Sequence, residues 1–389
     1  FAKCLDMPEP AQKGWLHGIL FVAIIAWEVW SISVTIVPFC ILLVWIPSPV
    51  TLKISRTIMA YGSNMTFASY CCLLEWLAGV QFVVTGDLPK KTDRCILSMN
   101  HYCRLDWMFL WGWYRRCHGC YGYKVVLKDL GKKIPGLGWG LQGLLCIFLR
   151  RSAEQDLPYI RDMSKHIFNT ALWAKVLIFP EGTDLSPNQL NKSREWAEKQ
   201  NPPKPVRKHC LYPRTKGMLA MVEDLDEDVD LYDLTIAYEG MYNNERPSEP
   251  NIAKGRFPTK VHIHSVKTHR DNFPRQEPQV QKWLEKSFLE KEEVLKTFYG
   301  NIQKGEPPCL VGPEYIPREE DATLQYIICW AFWALLSFCV IYLMRTSSLF
   351  NWWLFVWHIF FICVTIHGIG VEGIDLYLGK QRYGGKRLL

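Results

Sequence analysis

The sequence predicts an α/β domain with a mostly parallel central sheet flanked by helices, preceded by a membrane-embedded helical segment and followed by a transmembrane helical hairpin. Three observations carry this. Seven short apolar runs recur between residues 81 and 265 with helical segments between several of them, the alternation that builds parallel strands and crossover helices. Residues 15–46 are apolar throughout except for His17, Glu28 and a few hydroxyls. Residues 324–344 and 349–370 are two more apolar runs, each about the 20 residues a span requires, broken only by Arg345-Thr346-Ser347-Ser348.

Composition narrows the class. At 389 residues the chain is long enough for one large domain plus membrane segments. Aromatics reach 14%, with 17 Trp, which suits a lipid interface where amphipathic rings are favoured. The net charge of +7 makes anionic phospholipid surfaces and phosphate-bearing substrates the natural partners. No nucleic-acid motif or basic–aromatic repeat accompanies that charge, so nucleic acid is set aside. The 14 cysteines are scattered, several within apolar runs, which predicts reduced thiols and not a disulfide framework. The sequence opens on Phe1 and not on Met, which predicts a missing N-terminal piece.

Taken in order, residues 15–46 would extend ~48 Å as a helix, too long for one upright span and too short for two. Pro38 and Glu28 predict a kinked or re-entrant arrangement, with the topology left open. Residues 50–80, which mix Lys53 and Arg56 with an apolar stretch, read as helices lying along the interface or against the domain. Candidate strands follow at 81–85, 94–99, 124–127, 144–149, 174–179, 233–238 and 260–265. The implied units are 1–50 (membrane-embedded), 51–80 (interfacial helices), 81–318 (α/β domain) and 319–389 (hairpin and basic tail). Asn64-Met65-Thr66 and Asn191-Lys192-Ser193 fit the glycosylation pattern, which matters only if they face a lumen.

Within the domain, residues 105–114 read as a helix rich in Trp, Met and Leu. Gly136-Leu137-Gly138-Trp139-Gly140 lacks the preceding strand a dinucleotide fingerprint needs, so close packing or a tight turn is expected. Ser186-Pro187 signals a helix over 188–199, and Pro213-Arg214-Thr215-Lys216-Gly217 opens another. Residues 277–298 place Val280, Leu284, Phe288, Leu295 and Phe298 at mostly helical intervals, an amphipathic helix docked on the domain. Both ends of the terminal hairpin lie on one side, and Lys380, Arg382, Lys386 and Arg387 mark that side as cytosolic, together with the α/β domain attached before it. His358 and His367 within the second run read as helix-contact residues.

The chemistry centres on Asn100-His101-Tyr102-Cys103-Arg104-Leu105-Asp106, where a strand ends and a helix begins. On a continuous helix His101 and Asp106 would stand ~140° apart, so they meet only if the chain turns between them. With such a turn, the carboxylate fixes the imidazole tautomer and leaves the other ring nitrogen as a base, a dyad without a protein nucleophile. The plain alternative is a satisfied histidine beside a first-turn aspartate favoured by the helix dipole. A second segment, Phe179-Pro180-Glu181-Gly182-Thr183-Asp184, follows another strand-like run. Cys117-His118-Gly119-Cys120 suggests zinc only weakly, since no second Cys-x-x-Cys answers it.

Together, Asn-His-x4-Asp and Phe-Pro-Glu-Gly-Thr resemble motifs I and III of the glycerolipid acyltransferase superfamily. The segments 106–111, 135–139, 179–185, 213–217 and 235–238 are similar to the lysocardiolipin branch of the acylglycerophosphate acyltransferases, over about residues 15–375. That resemblance implies an enzyme moving a fatty acyl group from acyl-CoA to a free glycerol hydroxyl of an anionic lysophospholipid. The acceptor is of the lysocardiolipin type, or lysophosphatidic acid or lysophosphatidylinositol. It implies His101 as general base and Asp106 as its orienting partner, with Asn100, Arg104, Phe179 and Pro180 supporting the motifs. Arg151 falls at the arginine of motif II, with a fork suited to a phosphate oxygen; the bland reading of Arg150 and Arg151 is a solvated strand end. Glu181, Gly182 and Thr183 would position the acceptor, Glu181 through a hydroxyl or a basic neighbour because its charge repels phosphate. Arg214 and Lys216 either bind an anion at a helix start or are surface charges. Thr235-Ile236-Ala237-Tyr238 stands where motif IV usually carries a proline, and that proline is absent. No metal and no bound cofactor are implied, acyl-CoA being a co-substrate, and the expected location is the endoplasmic reticulum membrane. A non-catalytic lipid-binding membrane scaffold is the rival from another class.

Overall fold

The computed structural model describes residues 11–117, 119–225, 228–241, 243, 245–269, 272–311, 321–384 and 387–388. The chain runs β1 (Ala11–Gln12), α1 (Trp15–Trp45), α2 (Pro49–Cys72), β2 (Gln81–Gly86), β3 (Arg94–Met99), α3 (Asp106–Phe109), α4 (Trp111–Arg116), β4 (Tyr123–Lys128), α5 (Leu137–Gly143), β5 (Ile147–Leu149), α6 (Ala153–Thr170) and β6 (Lys175–Ile178). It continues through α7 (Pro187–Glu198), α8 (Thr215–Val222), β7 (Val229–Glu239), α9 (Glu249–Ala253), β8 (Arg256–Phe257), β9 (Lys260–Thr268), α10 (Glu277–Lys304), α11 (Thr323–Thr346), α12 (Ser348–Ile366) and α13 (Gly370–Tyr383).

Seven strands form one sheet in the order β2-β9-β7-β3-β6-β4-β5, parallel at every pairing except β7 with β9. β3 and β6 are buried along their whole length, which is why apolar residues dominate them on both faces, interrupted only by Arg94, Ser98 and Lys175. Each predicted strand is present, Arg94–Met99 with the predicted ends and the others with shifted ones. The segment 144–149 yields only Ile147–Leu149, because Leu145 adopts φ 61 and the amides of Leu145 and Cys146 bond back to Gln142 and Leu141 in a turn. β9 runs past Ser265 through Val266, Lys267 and Thr268, whose backbones pair with Asp233, Tyr232 and Leu231. An antiparallel ladder held by main-chain bonds tolerates polar side chains that read as loop. The helix expected over 105–114 is two short helices meeting at Leu110.

α1 is one continuous helix and does not re-enter. Pro38 cannot donate to the carbonyl of Val34, and the indole N–H of Trp353 fills that place at 2.9 Å, so the helix passes through the proline. The helix also lies along the α/β domain. Gly18 abuts the carbonyls of Ile252 and Ala253, where any Cβ would come within 2.4 Å, and Phe21 meets Phe257 edge-on at 5.2 Å. Ser33 donates to the carbonyl of Gly136, while Arg382 caps the far end through the carbonyl of Val44. The glycines of 136–140 therefore serve close packing, Gly140 facing Ser33 and Gly136 facing Trp30. α2 packs back along α1, with Ser69 donating to Glu28, and lies against the domain, where Asn64 accepts the amide of Cys120.

Among the described residues three helices, α1, α11 and α12, are long and apolar enough to cross a membrane. α11 and α12 form the predicted hairpin, turning at Ser347, whose hydroxyl accepts the amide of Phe350. Both ends of the hairpin meet the same domain. At its start Tyr326 donates to Glu75, just after α2, at 2.5 Å, and the guanidinium of Arg115 on α4 lies over its ring at 5.7 Å. At its end α13 returns to the domain, where Glu372 pairs with Lys132 and Asp375 takes both guanidinium nitrogens of Arg56, at 3.0 and 2.6 Å, and the imidazole of His166 at 2.7 Å. Burial works against the charge of Asp375, but Arg56 and His166 hold its carboxyl below the usual range. His358 in α12 lies between Trp30 and Trp139 and accepts from the Trp30 indole at 3.2 Å, a helix contact as expected.

Candidate active site

β3 and β6 are adjacent and parallel, Ser98 opposite Ile178, so the segments beginning at Asn100 and Phe179 leave the sheet together at its carboxyl edge. Asn100 is buried, and its side-chain amide pairs in both directions with the backbone of Ile236 on β7, donating at 3.1 Å and accepting at 2.8 Å. That exchange ties the first motif to β7. The ring of Phe179 stacks on His101 with centroids 4.0 Å apart.

The required turn is present. The amide of Cys103 donates to Asp106 Oδ2 at 3.0 Å, folding the chain so that His101 Nδ1 reaches the same oxygen at 2.9 Å. Asp106 Oδ1 accepts from the hydroxyl of Tyr238 at 2.6 Å and from Cys103 Sγ at 3.2 Å. A fully buried carboxylate with four donors is held as an acceptor, so Nδ1 carries the proton and Nε2 presents its lone pair. The His101 side chain keeps 15% of its surface, and among the described residues nothing bonds Nε2.

Glu181 corrects the expectation. It does not face a substrate: it is buried, its oxygens accepting the amide of His101 at 2.7 Å and that of Leu211 at 2.8 Å. Burial pushes its carboxyl up to about 8, against the pull of the two amide donors. It is a brace between the two motifs and the segment before α8. Pro180, also buried, accepts from the amide of Arg214 at 2.8 Å, and the amide of Leu185 donates to the carbonyl of His101 at 2.8 Å. Gly182, at φ 74, forms the exposed lip, with the Arg214 side chain 3.5 Å from where a Cβ would sit. Thr183 is half-buried beside it, 3.5 Å from Asp184.

Arg151 is exposed at the end of β5 with φ 67, a left-handed conformation uncommon for a residue with a side chain. The ammonium of Lys128, at the end of β4, lies below its ordinary pKa through desolvation, then repulsion by Arg151 and Arg104, offset in part by Asp184. Arg104 and Arg151, both exposed, thus lie within electrostatic reach of the exposed Lys128, with the carboxylate of Asp184 among them. Lys216 is exposed on α8, and among the described residues no contact joins it to that cluster.

Sequence reasoning missed Lys128 and the side chain of Tyr238. Placing all strand ends on one edge would have found Lys128. The alternation of β7 puts Tyr238 on the same face as Ile236, yet only the absent proline drew notice there. His118 lies outside the described residues, and among those described no three His, Cys, Asp or Glu side chains converge on a metal-binding geometry. Asn64 is buried and accepts the amide of Cys120, so its glycosylation pattern is not presented to solvent.

A family model described as acyltransferase matches residues 81–239, and one described as acyltransferase C-terminus matches 251–330. Across 314 residues the chain is 32% identical to lysocardiolipin acyltransferase 1 of Mus musculus, covering 78% of this chain and 80% of that protein. It is 35% identical over 246 residues to lysophosphatidylinositol acyltransferase 10 of Caenorhabditis elegans, 59% of each chain. It is 27% identical over 286 residues to 1-acyl-sn-glycerol-3-phosphate acyltransferase epsilon of Mus musculus, 71% of this chain and 74% of that one. The first matched range contains every residue of the site.

Proposed function

The chain belongs to the acyltransferase family, and from that premise we propose that it transfers a fatty acyl group from acyl-CoA to a free glycerol hydroxyl of an anionic lysophospholipid. One observation carries the reading: a histidine at the open edge of the sheet whose Nδ1 is fixed by a buried carboxylate and whose Nε2 is free. His101 Nε2 takes the hydroxyl proton as that oxygen attacks the thioester carbonyl. The tetrahedral intermediate expels the CoA sulfur, which leaves with the proton from the imidazolium. The ester C–O bond forms as the thioester C–S bond breaks, and no protein atom is acylated. Asp106 supports the imidazolium charge, and general-base catalysis of this kind contributes about 10² to 10⁴ in rate.

The exposed cations Arg104, Lys128 and Arg151 support a subsite for the acceptor's phosphate, and Gly182, Thr183 and Arg214 remain further candidates for holding the acceptor. Glu181 holds the His101 backbone from behind. The protein is proposed to sit in the endoplasmic reticulum membrane with this domain in the cytosol. The basic residues Lys380 and Arg382 beside the returning end of the hairpin support that orientation.

The test is acyl-CoA-dependent acylation by purified, detergent-solubilised protein across monolysocardiolipin, lysophosphatidic acid, lysophosphatidylinositol and lysophosphatidylglycerol, with His101→Ala alongside. Turnover on at least one acceptor that disappears in the variant is expected, and the preferred acceptor names the substrate. Lipid binding by both proteins with turnover by neither would move the assignment to a membrane scaffold.

A further inference from the structure

The fourth segment, in which the superfamily's proline is missing, is not idle. We infer that Tyr238 is a positioning residue of the acyl-transfer site, acting through Asp106 to set the orientation and basicity of His101. The inference rests on the base role proposed for His101.

The geometry is specific. The Tyr238 hydroxyl is 2.6 Å from Asp106 Oδ1, the oxygen opposite the one that holds the imidazole. The ring is fully buried, edge-on to Phe109 at 5.3 Å and beside Tyr102 at 5.4 Å. Its backbone is fixed from both sides. The Asn100 amide locks Ile236 two residues earlier, and the hydroxyl of Tyr299 on α10 accepts the Tyr238 amide at 3.4 Å. The asparagine that precedes the catalytic histidine thus anchors β7 within the register its pairing with β3 and β9 sets, and alternation along the strand delivers Tyr238 to Asp106. A proline within these residues would have no amide for such a lock. Burial raises the phenol well above its ordinary range, so it remains a donor at every working pH.

The consequence has a sign. A donor on Oδ1 draws negative charge away from the carboxylate and lessens its support for the imidazolium. Removing that donor leaves Oδ1 with only the weak thiol of Cys103, so His101 becomes more basic and the carboxylate freer to rotate. The other groups facing the pair are Glu181 on the His101 amide, Tyr102 with Tyr299 behind it, and Arg246 on the carbonyl of Tyr102. None of them is altered by Tyr238→Phe, which keeps the ring.

The experiment compares wild type, Tyr238→Phe and His101→Ala. For Tyr238→Phe the expected result is a loss of about tenfold in kcat, with KM for both substrates unchanged and the acid limb of the pH profile moved to higher pH. A second measurement is independent of turnover: the pH dependence of His101 carbethoxylation by diethyl pyrocarbonate, read from the mass of its peptide, shifts upward in Tyr238→Phe. An unshifted modification curve, or wild-type kcat in Tyr238→Phe beside an inactive His101→Ala, would overturn the inference. Full activity in His101→Ala would instead overturn the base assignment, while the carbethoxylation shift still reports the Tyr238–Asp106–His101 linkage.

Discussion

Replacing Asp106 by Asn tests the dyad without changing its shape. In the native site Oδ2 accepts from His101 Nδ1 and the Cys103 amide, and Oδ1 accepts from Tyr238 and Cys103 Sγ. Asparagine offers one acceptor oxygen, so either orientation sets an NH2 group against two donors. If the amide nitrogen takes the Oδ2 position, it can bond His101 only when Nδ1 is the acceptor, which places the ring proton on Nε2 and removes the base. If it takes the Oδ1 position, it opposes the buried Tyr238 hydroxyl, and the imidazolium loses its counter-charge. Both outcomes remove support that is stronger in the transition state than in the ground state. A change of about 4 to 5.5 kcal/mol in the barrier corresponds to about 10³ to 10⁴ in kcat. The assay is initial-rate acylation at saturating acyl-CoA and acceptor, with circular dichroism to confirm folding. A folded Asp106→Asn protein retaining a tenth of wild-type kcat would refute the reasoning, because a histidine that functions without its carboxylate is not half of a dyad.

Two further outcomes follow from the same site. Lys128→Ala should raise KM for the acceptor about tenfold and leave kcat within about twofold, since it removes one of the three cations of the proposed phosphate subsite and touches neither dyad member; steady-state kinetics on the preferred acceptor check this. The carboxyl of Glu181, held at about 8 in the folded protein against an ordinary 4.5, binds a proton that the unfolded chain has already released. Its contribution to stability is therefore present below about pH 4.5 and declines as pH rises toward 8. Glu181→Gln should flatten that part of the stability–pH curve, as read by chemical denaturation at pH 5, 6.5 and 8.

Much of this architecture was written locally. The strands of the sheet were legible because buried parallel strands are mostly apolar on both faces, as in β3 and β6, and the hairpin because helices able to cross a membrane must be apolar all round. The dyad was legible as a pair of residue types at a turn. What stayed hidden depends on contacts distant in sequence. Glu181 looked like a substrate ligand because a carboxylate in a glycine loop is read as exposed; its burial against the amides of His101 and Leu211 arises only when β3, β6 and the segment before α8 converge. Tyr238 reaches Asp106 across 132 residues of sequence. The continuity of α1 through Pro38 depends on the Trp353 indole, from the opposite end of the chain. The return of α13 to the domain rests on buried partners for Glu372 and Asp375, which in the sequence are ordinary charges of a tail.

The measurement that tests the central claim most directly is CoA release by the purified protein, followed in real time with and without lysophospholipid, wild type beside His101→Ala. Direct attack by the substrate hydroxyl predicts release only when acceptor is present, with no stoichiometric burst, and none from the variant. A burst equal to the enzyme concentration in the absence of acceptor, or release by His101→Ala at the wild-type rate, would contradict the account.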